Sequence, residues 1–143
     1  MSSNRPPDFE HAIHTANIWL KSVAEAMGTE DRGAANRALR AWLHTVRDRL
    51  TVDVAAHLAA QLPELLRGVY YDGWDPSIVP VKYDRDAYMI RFAQEAKVTA
   101  EEVPQVTAAV TAALARQMSP GQMDSVLQEL PHDIRVFFLE PVA

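Results

Sequence analysis

The chain has 143 residues, a formal net charge of −5 at pH 7, 48% hydrophobic residues and no cysteine. That length suits one domain with a core of its own, and the missing thiol excludes disulfides, thiolate catalysis and Cys-ligated zinc or iron–sulfur sites. The acidic balance argues against a phosphate backbone as a partner, so nucleic-acid binding is not expected.

In chain order, Met1 to Pro7 has no apolar run after Arg5 and does not read as a secretory leader. Ile13, Ala16, Leu20, Val23 and Met27 step by three and four, which predicts a first helix from about Asp8 to Met27, stopped by Gly28. Ala35, Ala38, Leu39, Trp42, Val46 and Leu50 share one arc of a second helix. Thr51 can cap a third, with Ala55, Leu58 and Leu62 as its stripe, and Pro63 restarts the chain as a short helix ending at Gly68. Asp72-Gly73, Asp75-Pro76 and Pro80 then mark a linker.

Beyond the linker, Tyr88, Met89, Phe92 and Ala96 give a further helical face. Thr99-Ala100-Glu101-Glu102 is a capping box for the next helix, which carries Val103, Val106, Val110, Leu114 and Met118. Its run from Val103 to Ala115 is the longest uncharged apolar stretch, contains Pro104 and is too short for a bilayer span. Ser119-Pro120-Gly121-Gln122 predicts a helix start with Ser119 as cap and Pro120 in the first turn. No stretch reads as a strand, because Ile78-Val79-Pro80-Val81 is broken by proline.

The second half repeats the first. Leu62-Pro63-Glu64-Leu65-Leu66-Arg67-Gly68-Val69-Tyr70 returns as Leu130-Pro131-His132-Asp133-Ile134-Arg135-Val136-Phe137-Phe138 at an offset of 68, and the apolar positions upstream keep nearly the same offset. The expectation is an all-α single domain of two tandem pseudo-repeats, residues 8–71 and 84–139, joined by a linker at 72–83 and packed as a helical bundle or short solenoid.

Arg37, Arg40, His44 and Arg47 recur at helical spacing on the side of the second helix opposite Trp42 and Val46. They read as an exposed basic stripe, either a solvated face or a docking site for an acidic partner. The matching positions of the second copy are Gln105, Ala108, Ala112 and Ala115, a small-residue face suited to close helix approach within the chain or against a second subunit. Tyr70, Tyr71 and Trp74 read as inter-repeat core or as the wall of a pocket between the repeats. Arg67 and Arg135 recur at the same place after Pro63 and Pro131, so a structural role is expected, bonding carbonyls at a helix end or pairing with a carboxylate. His11 and His14 beside Glu10 could share a metal, but no third ligand is placed by sequence. The chain has no Gly-rich phosphate loop, Gly-x-Ser-x-Gly, His-Glu-x-x-His or paired Glu-x-x-His. No catalytic residue, metal or cofactor is assigned.

Arg47-Asp48-Arg49-Leu50, Ala59-Ala60-Gln61-Leu62-Pro63 and Arg67-Gly68-Val69-Tyr70-Tyr71-Asp72-Gly73-Trp74, with Leu130-Pro131 and Arg135 later, resemble domain-of-unknown-function family 2267, small helical proteins of bacteria. The resemblance runs from about Trp19 to Phe138 and implies a helical fold in the company of stress-linked accessory proteins, with no activity or residue roles. The first expectation is a cytoplasmic, non-catalytic interaction or regulatory module with a protein partner or a second copy of itself. The alternative is a small-molecule-binding protein or enzyme with a pocket between the repeats near Tyr71 and Trp74.

Overall fold

In the computed structural model, which describes residues 4–139, every regular element is a helix and no strand occurs among the described residues. The first, α1, spans Pro7–Met27 and ends at Gly28, whose φ of 70° closes a Schellman motif with Thr29 N donating to Ala24 O at 3.0 Å. The second, α2 (Arg32–Arg49), starts at Asp31, whose carboxylate accepts from Ala34 N. Thr51 caps α3 (Val52–Ala59) as expected, and Pro63 precedes α4 (Glu64–Tyr71). That fourth helix runs through Gly68 instead of stopping there. Burial of Leu66 and Tyr70 holds its last turn against the core, which outweighs the roughly 1 kcal/mol that glycine costs inside a helix.

After the linker, α5 covers Arg85–Ala96 and closes at Lys97, a non-glycine residue with φ of 59° at the place where Gly28 closes α1. The Thr99 capping box forms, on a 3-10 turn (Ala100–Glu102) that leads into α6 (Val103–Gln117). The helix start predicted at Ser119 does not form. Gly121, with φ of 84°, occupies the N-cap of α7 (Gln122–Leu127) without a side-chain bond, and the Ser119 N–H is turned to Gln61 Oε1. A one-turn α8 (His132–Arg135) and a second 3-10 turn (Val136–Phe138) complete the described chain.

The two longest contacts cross between the halves, since α1 lies mainly on α6 and α5 mainly on α2. Each half also folds its final turn onto its own second helix: α4 on α2, and the 3-10 turn after α8 on α6. Trp42, fully buried on α2, donates through Nε1 to Thr111 Oγ1 of α6 at 2.9 Å. Beside it lies an aromatic cluster in which Tyr88 stands 5.7 Å from Phe138, 5.8 Å from Phe137 and 6.0 Å from Phe92, ring centre to ring centre. These four rings all belong to the second half, and Trp42 joins the first half to them through Thr111 and through Phe138, whose ring centre is 6.0 Å away. Truncating Trp42 to Ala would remove the largest buried side chain at about 3–5 kcal/mol, much of a domain's net stability.

Helix α2 differs from a surface helix. Every residue from Ala41 to Arg47 is buried, because α1, α4, α5 and α6 all pack against it.

Burial holds the phenols of Tyr70, Tyr83 and Tyr88 well above the ordinary tyrosine range. An acid whose folded-state pKa is raised contributes stability that is complete below its unfolded value, about 10 for tyrosine, and is lost as pH rises beyond it. The Tyr88 hydroxyl is buried beside Thr107 and Thr45 without a hydrogen bond of good geometry, so Tyr88→Phe removes a poorly satisfied polar group and leaves the ring stack in place. This variant is expected to match or exceed the parent in urea unfolding at pH 7, and to unfold at higher pH in an alkaline titration followed by circular dichroism. A loss of more than about 1 kcal/mol at pH 7 would show that the hydroxyl is bonded after all.

Candidate functional site

Two features stand out, a buried polar cluster on α2 and an open crevice along α6. The cluster is where the basic stripe of α2 lies, and there the sequence expectation is corrected. His44 is only 9% exposed and Arg47 5% exposed, so neither belongs to a solvated face. Arg37 and Arg40 are half-buried. The stripe reads as exposed from α2 alone because the cover comes from segments distant in sequence.

Those segments supply the acceptors that make the burial tolerable. Arg47 Nη1 donates to Tyr70 O at 2.8 Å and Asp72 O at 2.7 Å, and Nε donates to Asp48 Oδ1 at 2.7 Å. The second oxygen of Asp48 accepts from Arg91 Nη2 of α5 at 2.9 Å, while the Asp48 carbonyl accepts from Val81 N of the linker at 2.7 Å. His44 joins three helices: Nδ1 faces Glu95 Oε2 of α5 at 2.5 Å and Nε2 faces Val69 O of α4 at 2.8 Å. A carbonyl can only accept, so Nε2 carries a proton. The Tyr83 hydroxyl donates to Thr45 O, and the Arg91 guanidinium lies 5.0 Å over the Tyr83 ring. The result is a polar clasp that fixes the linker and α5 onto α2.

Tyr70, Tyr71 and Trp74 do come together. Tyr70 is fully buried with its hydroxyl on Ala55 O at 2.9 Å, Tyr71 packs edge-on against it at 5.2 Å, and Trp74 follows at 5.1 Å from Tyr71. They form a ring stack over the end of α4 and line neither of the depressions along α6. Arg67 bonds the carbonyls of Ala59 at 3.1 Å and Leu62 at 2.8 Å, at the end of α3, while Arg135 makes no such bond among the described residues. Pro63 and Pro131 are extended residues directly before α4 and α8. His11 and His14 are exposed on α1, and no three His, Cys, Asp or Glu side chains gather into a metal-sized group among the described residues.

The open crevice lies along α6. Its floor is Ala108, Ala112 and Ala115, with Ala26 of α1 on one side and Met123 and Leu127 of α7 with Phe138 and Leu139 on the other. It encloses about 640 Å³ and carries Arg116 and Asp124 at its mouth. A second depression of about 310 Å³ shares Ala26, Gln105 and Ala109 with it and continues the trough toward Glu102 and Thr29. The only hydroxyl on the floor, Thr111 Oγ1, already accepts from Trp42 and donates to Thr107 O at 2.8 Å, so the floor has no hydrogen bond to offer. At an offset of 68 in the sequence His44 falls on Ala112, Arg47 on Ala115 and Arg40 on Ala108, and Glu95 stands 69 after Ala26. The long polar side chains of α2 thus have methyl groups as their sequence counterparts on α6.

The alanines are visible in the sequence, but the partners of the clasp are not. Nothing in the spacing of Glu95 or Arg91 marks them as the partners of His44 and Asp48 on α2, since these pairings span 51 and 43 residues.

These features define an all-helical protein with a polar clasp on α2 and an apolar trough along α6. The model of the family described as Uncharacterized conserved protein (DUF2267) matches residues 16–137, and the chain belongs to that family. No curated protein matches the chain. No helix among the described residues is long and apolar enough to cross a membrane.

Arg47→Ala is expected to destabilise the protein by about 3 kcal/mol in urea unfolding, since it leaves Asp48 with Arg91 alone, removes the donor of the Tyr70 and Asp72 carbonyls and empties a buried site. Arg40→Ala, at a half-buried residue outside the clasp, is expected to change stability by less than about 0.5 kcal/mol. Equal effects of the two substitutions would contradict the assignment of Arg47 to the clasp.

Proposed function

We propose that this protein is a non-catalytic interaction module of two tandem pseudo-repeats, 8–71 and 84–139, that presents the α6 trough to a protein partner. The crossed packing of α1 on α6 and α5 on α2 supports the repeat reading, as does the matching placement of each half's final turn on its own second helix. Such an arrangement is what an approximate two-fold relation between the copies would produce. The observation that carries the functional reading is the difference between α2 and α6. The first holds its long side chains in a clasp that costs charge burial, whereas the second leaves an apolar opening over their sequence counterparts.

This reading moves the docking face away from the basic stripe. His44 and Arg47 are committed to the clasp, leaving Arg37 and Arg40 at its half-exposed edge as the basic residues within reach of a partner. A cytoplasmic setting and an accessory role in stress belong to the same proposal, the first from the cysteine-free composition and the second from the family resemblance. The volume and apolar walls of the trough favour a second reading, in which an apolar small molecule occupies it.

A photo-crosslinking amino acid placed at Ala112, with the exposed Asp53 on α3 as control, separates these readings in native cells. A discrete protein adduct at 112 that is absent at 53 is expected. Identical adduct patterns at both positions would remove the trough as the docking face.

A further inference from the structure

We infer that the occupant of the α6 trough is a single amphipathic helix of a partner protein, lying antiparallel to α6 with an acidic first turn and a basic last turn. The inference rests on the reading of the trough as a docking face and adds the form, direction and charge of what docks there.

Dimensions come first. The wall from Gln105 to Arg116 is about 17 Å long at 1.5 Å per residue, so 640 Å³ spread along it gives a mean cross-section of roughly 40 Å². An α-helix 10–12 Å across has a section of about 80–110 Å², so a helix sunk to its axis fills the trough. The adjoining depression prolongs the same channel past Gln105 toward Glu102, which extends it along nearly all of α6.

Chemistry then separates the helix from an extended peptide. The floor offers methyl groups and a hydroxyl that is already engaged twice, so an extended strand would face it with unmatched N–H and C=O groups at about 1–3 kcal/mol each. A helix satisfies its own backbone and needs only apolar side chains on that face. Alanines at 108, 109, 112 and 115 let its axis come close.

Charge fixes the direction. Glu101 and Glu102 stand at the start of α6, and Arg116 stands at its end on the trough wall. Among the described residues Arg116 forms no ion pair, and Asp124 across the mouth does not pair with it. Helices ordinarily carry acidic residues in the first turn and basic ones in the last, which suits their dipole. Laid antiparallel to α6, such a helix brings its basic turn to Glu101 and Glu102, whereas at the other end Asp124 offsets Arg116 across the mouth. A parallel helix would set its acidic turn against Glu101 and Glu102, so the direction is decided mainly at that end.

The test uses the full chain and two stapled peptides of about sixteen residues, each with leucines at helical spacing. One has Glu in its first turn and Lys in its last; the other has these charges exchanged. Fluorescence anisotropy is expected to show the first peptide binding roughly fivefold tighter at low salt, with the gap narrowing at high salt, because a few exposed charge pairs supply it. Ala112→Arg should abolish binding of both, and Arg116→Glu should reduce the preference, with circular dichroism confirming that each variant is folded. Equal affinity for both peptides, binding that survives Ala112→Arg, or no binding at all would overturn the inference. So would uptake of an apolar dye without the peptides, which indicates a small-molecule site, or a doubled solution mass abolished by Ala112→Arg, which indicates a second copy. A protein adduct at position 112 combined with no peptide binding would retain the docking face and reject the helix.

Discussion

Burying the Arg47 guanidinium constrains the arrangement of the first half. A guanidinium cannot shed its proton at any ordinary pH, so taking it out of water obliges the chain to bring acceptors to it. Three arrive: the Asp48 carboxylate from the same helix and the carbonyls of Tyr70 and Asp72 from the end of α4. The path of the linker follows, because Asp48 also holds Val81 N through its carbonyl and Arg91 through its side chain. With the linker pinned, α5 is delivered to α2, where His44 and Glu95 close the contact. The ion pairs set register and direction, whereas burial of Trp42, Tyr88 and Phe92 supplies most of the driving force.

The contact of α1 with α6 forms without a clasp. Small side chains on α6 and α1 pack close, and Phe137 stacks with Tyr88 while Phe138 meets it at a tilt. The absence of long side chains there leaves the trough. If its apolar opening persisted only for packing, it would be a cost, since filling a void normally stabilises a protein. The docking helix we propose would give it a reason to persist, on the half whose sequence contains less chemistry.

Much of the secondary structure is legible from residue pattern. The Gly28 stop, the Thr51 cap and the Thr99 capping box are local arrangements in which a side chain or a left-handed residue meets backbone within five positions. Of the two boundaries that differ, one has a tertiary cause and one a local cause. Gly68 does not end α4 because Tyr70 is drawn into the core, and Ser119 does not cap α7 because its carbonyl closes a turn onto Gln122 N that puts Gly121, at a φ of 84°, at the N-cap. The candidate site was legible in part: the alanines of α6 and the stripe of α2 were both identifiable, with the exposure reversed for His44 and Arg47.

By itself the sequence determined a helical chain with an internal echo, the faces carried by its helices and the absence of thiol chemistry. Those are properties of short-range periodicity and composition. Only the tertiary structure decided which polar face is buried and which small-residue face is open. The partners of His44 and Arg47 lie up to 51 residues away, and helical spacing states which side chains share a face without stating what covers it.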